Sequence, residues 1–539
     1  MALVGSYNNH GVCDVLWAIL FLLSFTSTAT NSNWLNHGGD IYNRRYAKDE
    51  TKISPRTVSK LRLKWKFYAG KDITATPAIY DKTLYFPSWN GYIYAVKADD
   101  GSLVWEKNLE KLTGLKGTGL IYGVNVTVSR STPTVAGDII MFGIYGPAVV
   151  IAVERDTGNL VWLSQLDRHN ASLVTMSGTA YKGNFYVGTS SAEETVSADE
   201  CCTFRGSMAK LDISTGKILW QTFTLPDNNG QQGGYAGGAI WGSSPSIDAT
   251  RGLVYVGTGN LYSAPSYVLE CQNNSSSDQV NTASVVDECI EPDNHENSIL
   301  AFDMNEGNIK WYKQLGGYDL WYSACSSNPD TPNCTSGSNP DADFGEAPMM
   351  LSIVVNETKL DIVTAVQKSG IAWALDRDSG DIIWSTVAGP GGVMGGGISG
   401  AATDGLRVYT NIANSKHENF TLTPSSKTTT AGGWVAMEAN TGEVLWSTAN
   451  PTNATANGPV TVANGVLFAG STNQEGNIYA MSAEKGKILW SYETGATVYG
   501  GILVSHGCIY LGNGFNVTLA ALLLKSTPGT SLFAFCLDD

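Results

Sequence analysis

Apolar and polar positions alternate along this chain in short runs closed by Gly, Asn or Asp, the signature of strands that bury one face. The alternation is itself periodic. Seven 15-residue segments superimpose without gaps: GYIYAVKADDGSLVW ending at Trp105, AVVIAVERDTGNLVW at Trp162, GSMAKLDISTGKILW at Trp220, NSILAFDMNEGNIKW at Trp311, GIAWALDRDSGDIIW at Trp384, GGWVAMEANTGEVLW at Trp446 and GNIYAMSAEKGKILW at Trp490. Each carries a Gly four residues before its Trp, so each is predicted to be a strand, a tight turn whose Gly takes a positive φ, and a second strand ending in an aromatic. Successive Trp are 57, 58, 91, 73, 62 and 44 residues apart. A four-stranded propeller blade takes roughly 40 residues, so each repeat marks one blade with loops of variable length. Trp65 has no repeat strand ahead of it, while the C-terminal GTSLFAFCLDD begins a repeat and stops before its Gly and Trp. The two ends complete each other, and the expected fold is all-β: an eight-bladed β-propeller whose last blade is closed by the N-terminal strand. The repeated Trp are expected to fill the space between neighbouring blades and to hydrogen-bond through their indole N–H. Function must then come from residues that break the repeat.

With 43% apolar residues among 539, the chain can bury a large core, which excludes wholesale disorder. A formal net charge of -15 speaks against a nucleic-acid partner, which needs clustered Lys and Arg. The apolar run Val15 to Phe25, followed by Ser27, Thr28 and Ala29, has the length of a signal-peptide core. Residues 1–29 are therefore expected to be a signal peptide and residues 30–539 one propeller domain. Asp14 and the lack of Lys or Arg ahead of the run leave a buried helix or a short anchor as the alternative. No later apolar run reaches the 18 residues of a membrane-spanning helix. Apart from Cys13, the cysteines fall into neighbouring pairs, Cys201 with Cys202, Cys271 with Cys289 and Cys325 with Cys334, leaving Cys508 to pair with Cys536. That arrangement suits an oxidising, extracellular compartment, and nine Asn-x-Ser/Thr sequons permit glycosylation.

Polar residues placed just after apolar strands are the candidates for chemistry at one end of the propeller channel. FYVGTSSAEE places Glu193 there, VYVGTGN places Asn260 at the equivalent point of the next blade, and NPDADFGEAP brings Asp341 and Asp343 before the strand at Met349. Two carboxylates and an amide oxygen from successive blades would suit a hard cation such as Ca2+. Taken singly, each reads first as a turn residue.

The repeat form, together with NWLNHGGDIYNRRYA near the N-terminus, resembles the pyrroloquinoline quinone (PQQ) dependent alcohol dehydrogenases from Asn33 to Asp539. SSAEE followed by CCTFRGSMAKLD, then GGAIWGSSPSID, DADFG and QKSG, looks most like the polyvinyl-alcohol-dehydrogenase branch. The resemblance implies an oxidoreductase acting on alcohol groups with PQQ and Ca2+. It implies Glu193, Asn260 and Asp343 as calcium ligands and Asp343 as catalytic base, with Asp341 the alternative in another register. Trp241 would be the floor on which the quinone stacks, Lys368 the cation beside its oxygens, and Arg130 a partner for a cofactor carboxylate. A vicinal disulfide of Cys201 and Cys202 would cover the cofactor. It follows Glu193, whereas methanol dehydrogenases carry theirs in an earlier blade.

An active-site Trp of the methanol dehydrogenases has no counterpart in TANGPVTVANG, and Asn411 or Asn414 would replace a family Asn contact. No Cys-x-x-Cys-His is present, so reduced quinone would depend on an external electron acceptor. No dinucleotide-binding glycine fingerprint supports NAD, and the six His show no metal spacing. The insertions 261–297 and 317–347 are expected to roof the channel or to form a partner surface. The competing reading is a non-catalytic propeller scaffold that binds protein or glycan, as in the bacterial outer-membrane assembly lipoproteins.

Overall fold

The computed structural model describes residues 32–119, 124–274, 288–327 and 342–538. The expected signal peptide, Cys13, Cys334 and Asp341 lie outside them. Eight four-stranded antiparallel sheets follow one another along the chain as propeller blades, spanning residues 78–108, 134–165, 179–223, 246–314, 349–387, 402–449 and 461–493 for blades 1 to 7. Blade 8 combines three strands within residues 503–536 with Arg62–Tyr68, which pairs with the C-terminal strand Ser531–Cys536 and so closes the ring as expected. First strands are short and buried, whereas fourth strands such as Leu160–Gln165 alternate between buried and exposed positions. The axis is therefore lined by first strands and solvent is met by fourth strands.

The repeat Gly and Trp form one interblade joint. Gly101, Gly158, Gly216, Gly307, Gly380, Gly442 and Gly486 all take φ between 67° and 77°. Each lies under the ring of the Trp one blade earlier: a Cβ on Gly101 would come within 2.7 Å of Trp65, one on Gly158 within 2.7 Å of Trp105, and one on Gly380 within 2.6 Å of Trp311. The same indoles donate to backbone carbonyls of the next blade, Trp65 to Ala98 at 2.9 Å, Trp105 to Arg155 at 2.9 Å and Trp384 to Ala439 at 3.0 Å. Trp490 faces blade 8, which lacks the Gly turn, and packs on the edge of Phe535 instead.

Residues 32–50 cross the ring of first strands and touch every blade. Trp34 bridges Ile79 of blade 1, and the Leu35 carbonyl accepts from Val135 of blade 2. Asn36 Nδ2 donates to Thr179 Oγ1 of blade 3. The carbonyls of Ile41, Tyr42, Arg44 and Arg45 accept from Ile247, Met350, Thr403 and Val462 of blades 4 to 7. Ser505 Oγ of blade 8 donates to the Ser32 carbonyl. The segment NWLNHGGDIYNRRYA is thus an axial plug. Its Arg45 is fully buried, donating to the carbonyls of Val460 and His37 and to Thr461 Oγ1, and burial first of all lowers it to about 9 against the pull of Glu346. Glu346 Oε1 accepts from Val366 N–H at 2.8 Å while Oε2 has no hydrogen-bond partner among the described residues, and burial pushes the group up to about 7.

Cys508 and Cys536 are paired across adjacent strands of blade 8, and Cys271 is bonded to Cys289, as expected. Cys325 is disulfide-bonded, with its expected partner outside the described residues. Among the described residues no helix is long and apolar enough to cross a membrane.

Gly380→Ala is expected to destabilise the fold by about 2 kcal/mol, because a Cβ there meets both a positive φ and an immovable ring; differential scanning calorimetry measures it. Glu346 binds its proton more tightly in the folded chain than in the unfolded one, so its contribution falls as pH rises from 4.5 to about 7. The stability of Glu346→Gln relative to the parent should accordingly rise by about 3 kcal/mol between pH 4.5 and 8, read from denaturant titrations at both pH values.

Candidate active site

Strand direction alternates within a blade, so the turn between second and third strands and the crossing to the next blade emerge at the same end of the propeller. The candidate metal and cofactor residues that the structure describes lie on these two kinds of segment. Arg130, Trp241 and Asp343 sit on crossings into blades 2, 4 and 5, whereas Asn260 and Lys368 follow the second strands of blades 4 and 5. These five residues line one cavity of ≈ 420 Å³.

Two glycines let the backbone lie close against Trp241: a Cβ on Gly345 would lie 2.7 Å from the ring and one on Gly259 3.3 Å from Nε1. Its carbonyl accepts from Thr175 Oγ1 at 2.9 Å, and Lys368 Nζ stands 5.8 Å from the ring centroid. The Arg130 guanidinium lies 5.7 Å from the Tyr145 ring. Trp241 and Arg130 also border a smaller polar chamber of ≈ 40 Å³ shared with His37 of the plug.

Asp343 is buried and doubly held. Its Oδ1 accepts the Asn260 N–H at 2.6 Å, and its Oδ2 is 3.4 Å from Lys368 Nζ. The Asn260 side chain donates through Nδ2 to the carbonyls of Leu261 and Trp321, both at 2.7 Å, which leaves Oδ1 as its ligand-facing atom. Among the described residues no group of three or more His, Cys, Asp or Glu is arranged to hold a metal. Besides hydroxyl groups, the cavity wall carries the oxygens of two carboxylates and of this amide.

The first carboxylate of the pair is Glu194, which corrects the expectation for Glu193. Both Glu193 oxygens are turned away from the cavity and spent internally: Oε1 accepts from Thr203 N–H and Oε2 from Phe204 N–H, each at 2.8 Å, and His169 Nε2 is 3.2 Å from Oε1. Burial opposes the charged form of His169, but the Glu193 carboxylate lifts it above its usual value. Within the short 3-10 turn Glu193–Thr195, adjacent side chains diverge, and it is Glu194 that lines the cavity. Burial pushes Glu194 up to about 7, Lys368 pulling against this and Asp343 adding to it.

The vicinal disulfide is present but does not face the cavity. Cys201 and Cys202 are joined across a cis peptide bond, buried, and packed with Phe204, Ala239 and Tyr262. Tyr262 and Ala239 present the wall, and the disulfide backs them. The Glu193 clamp on Thr203 and Phe204 explains this: it fixes the chain immediately after the disulfide. Asn411 and Asn414 also lie outside the cavity wall, with Asn411 Nδ2 bonded to the Ala456 carbonyl and Asn414 Nδ2 to those of Glu418, Thr430 and Ala431.

Two further residues had no motif to mark them. The Tyr262 phenol is held well above its usual value, by burial first and then by Glu194, Asp343 and Glu193, so it stays a neutral donor in the cavity wall. Asp319 stands behind Asp343, where its Oδ2 accepts from Ala342 N–H at 2.7 Å and from Asn297 Nδ2 at 3.0 Å, while its own carbonyl accepts from Leu261 N–H. It therefore ties the Asp343 segment to the strand that follows Asn260. Burial, with the nearby Asp343 charge second, pushes it up to about 6.

These contacts separate the two adjacent glutamates. Glu193→Gln should cost about 1–3 kcal/mol, since a neutral amide offers one acceptor where a carboxylate serves two backbone N–H groups. Glu194→Gln should leave the fold unweakened at pH 8, and urea titration of both variants checks the contrast.

The family model described as "Glucose/ethanol/alcohol dehydrogenase, beta-propeller domain" matches residues 34–390, and the one described as "Outer membrane protein assembly factor BamB" matches residues 431–523. A polyvinylalcohol dehydrogenase of Pseudomonas sp. is 28% identical over 95% of this chain and 78% of its own length. One from Sphingopyxis sp. (strain 113P3) is also 28% identical, over 89% of this chain and 73% of its own. Among solved structures, the quinohemoprotein alcohol dehydrogenase of Comamonas testosteroni superimposes with a TM-score of 0.68 at 18% identity, covering 94% of this chain and 80% of that one. A europium-containing methanol dehydrogenase gives 0.67 at 17% identity, covering 94% of this chain and 98% of that one. With that family model matching residues 34–390, more than half of the chain, the chain belongs to the PQQ family of glucose/ethanol/alcohol dehydrogenase β-propellers.

Proposed function

We propose that this chain is a secreted quinoprotein that oxidises alcohol groups with PQQ and Ca2+. The observation that carries the reading is the convergence of Glu194, Asn260, Asp343 and Lys368 beside Trp241 in one cavity. The residues fit the absent groups: Trp241, with Gly345 and Gly259 lying against its indole, offers a face to a flat ring system, and two carboxylates with an amide oxygen offer the hard donors a calcium ion takes. Glu194, Asn260 Oδ1 and Asp343 would hold the cation, and Trp241, Lys368 and Arg130 the quinone. When bound, PQQ would supply the two-electron acceptor for hydride, and Ca2+ the Lewis acid that polarises it.

The chain's own part is proton removal and charge placement. Asp343 takes the hydroxyl proton as the alcohol becomes a carbonyl compound, losing two electrons and two protons in all. Lys368, 3.4 Å from Asp343 Oδ2, places a cation where it favours negative charge arising beside it. The Asn260 N–H fixes its other oxygen, so the base is aimed before substrate arrives. Asp319 is a positioning residue for the same segment. Electrons then leave to an external acceptor.

We place residues 1–29 as a cleaved leader and residues 30–539 as one domain. Disulfide pairing and the exposed sequon residues Asn125, Asn170, Asn356, Asn419, Asn453 and Asn516 support an extracellular glycoprotein. The assembly-factor match over residues 431–523 favours a second reading, a scaffold. It gives no reason to bury Asp343 and Lys368 together in a cavity, since an apolar pair there would stabilise a scaffold at least as well.

Titration of metal-free protein with PQQ, with and without Ca2+, should give stoichiometric, calcium-dependent binding seen in quinone absorbance. Asp343→Asn should bind PQQ while turnover with an artificial acceptor falls by about 10²–10⁴. A folded protein that binds no PQQ, or a variant with unchanged turnover, would sink the reading.

A further inference from the structure

The polar chamber of ≈ 40 Å³ between the axial plug and Trp241 has room for about three water-sized bodies. No carboxylate stands in its wall, and what the wall presents is hydrogen-bond donors. Ser243 Oγ accepts from Asn43 Nδ2 at 3.2 Å and from Ala347 N–H at 2.8 Å, which occupies both lone pairs and leaves the hydroxyl proton to be placed. Ser177 Oγ accepts from Thr132 N–H at 2.8 Å, and Ser177 N–H donates to the Ser243 carbonyl, also at 2.8 Å, so the two hydroxyls stand on adjoining backbone. Neither has an acceptor for its own proton among the described residues. Neither lines the larger cavity, so the quinone proposed there would not supply one.

His37 does not supply one either. Its Nε2 is 2.8 Å from the Ser399 carbonyl, which can only accept, so that nitrogen carries the hydrogen, and Nδ1 faces Thr132 Oγ1 at 3.4 Å. Burial first and then Arg45 hold the imidazole well below its usual value, the Ser399 carbonyl opposing and Arg130 adding to the depression, so the ring is neutral. Two guanidinium charges are therefore felt at the chamber. Arg45 has Glu346 to pull against, whereas Arg130, in the chamber wall, lies against Tyr145 and has no ion-pair partner among the described residues.

Unspent donors and surplus positive charge facing one small buried space call for an anion. We infer that the chamber binds a single small monovalent anion of halide type, held by the Ser177 and Ser243 hydroxyls and by the charge of Arg130. The site needs no cofactor. Because its wall is assembled only when the plug is seated in the ring, the anion binds the folded chain alone and stabilises it.

The test exchanges the purified protein into sodium gluconate, an anion too large for the chamber, and titrates in chloride or bromide at constant ionic strength. The thermal unfolding midpoint should rise saturably, by about 2–3 °C at a hundredfold excess over Kd. Crystals soaked in bromide should show an anomalous peak in the chamber, within hydrogen-bond reach of Ser177 Oγ and Ser243 Oγ. Arg130→Gln should weaken bromide at least tenfold, and Arg130→Lys should recover part of the loss. A chamber holding only water in the bromide-soaked parent protein would overturn the inference whatever the variants do. Bromide bound equally well by Arg130→Gln would overturn it too, as would a halide effect whose only anomalous peak lies beside Lys368 in the larger cavity.

Discussion

The seating of each repeat Trp on the turn Gly of the next blade is the contact on which the ring depends. Each joint combines burial of a large ring with an indole N–H that reaches a backbone carbonyl of the following turn. Only a residue without Cβ can both take the positive φ of that turn and lie flat under the ring. Because Trp65 arrives on the strand that completes blade 8 and seats on Gly101 of blade 1, the last joint also welds the chain ends into the circle. The spacing between blades is thereby set by covalent repeats, and loop length is left free to vary.

That freedom is used at one end of the propeller. The antiparallel meander sends interblade crossings and second-to-third turns to the same face, and the long insertions of blades 3, 4 and 8 are all of these kinds. Groups far apart in sequence meet there because all of them sit on segments that emerge at that face. The axial plug, bonded to every blade, keeps the first strands from opening beneath them. A rigid ring below and variable loops above is the condition under which Asp343, Asn260 and Lys368 can be held to fractions of an ångström while the mouth of the cavity differs in chemistry.

The fold was legible because its determinants are short-range and repeated: a Gly and a Trp four residues apart declare a hairpin, and seven copies declare a ring. Asn260 and Asp343 stood out as polar residues just beyond apolar strands, whereas Trp241, Lys368 and Arg130 were expected only through the family resemblance. Glu193 was misplaced by a single residue because SSAEE falls in a 3-10 turn, where neither strand nor helix period says which side chain points inward. The backbone amides of Thr203 and Phe204 decide it, and they come ten residues later on a loop whose path no local pattern encodes. The same clamp moved Cys201 and Cys202 behind Tyr262. Asp319, in GGYDLW, is hidden for another reason: its role lies in bonds to Ala342 and Asn297, which are visible only once two insertions are folded.

The electrostatics of the cavity argue about function independently of the fold. Glu194 and Asp319 each lie within reach of the Asp343 charge, with Lys368 the cation among them. Burial alone would have such a group protonated or replaced by apolar residues, and both Glu194 and Asp319 are indeed pushed towards the neutral form. A cluster this unfavourable is a cost to the folded chain whenever nothing positive joins it. A divalent cation seated among Glu194, Asn260 and Asp343 would remove that cost and stabilise the fold at the same stroke, because whatever binds only the native state shifts the folding equilibrium towards it. A scaffold would be improved by losing the cluster, whereas the metal-assisted oxidation proposed above would have a use for it.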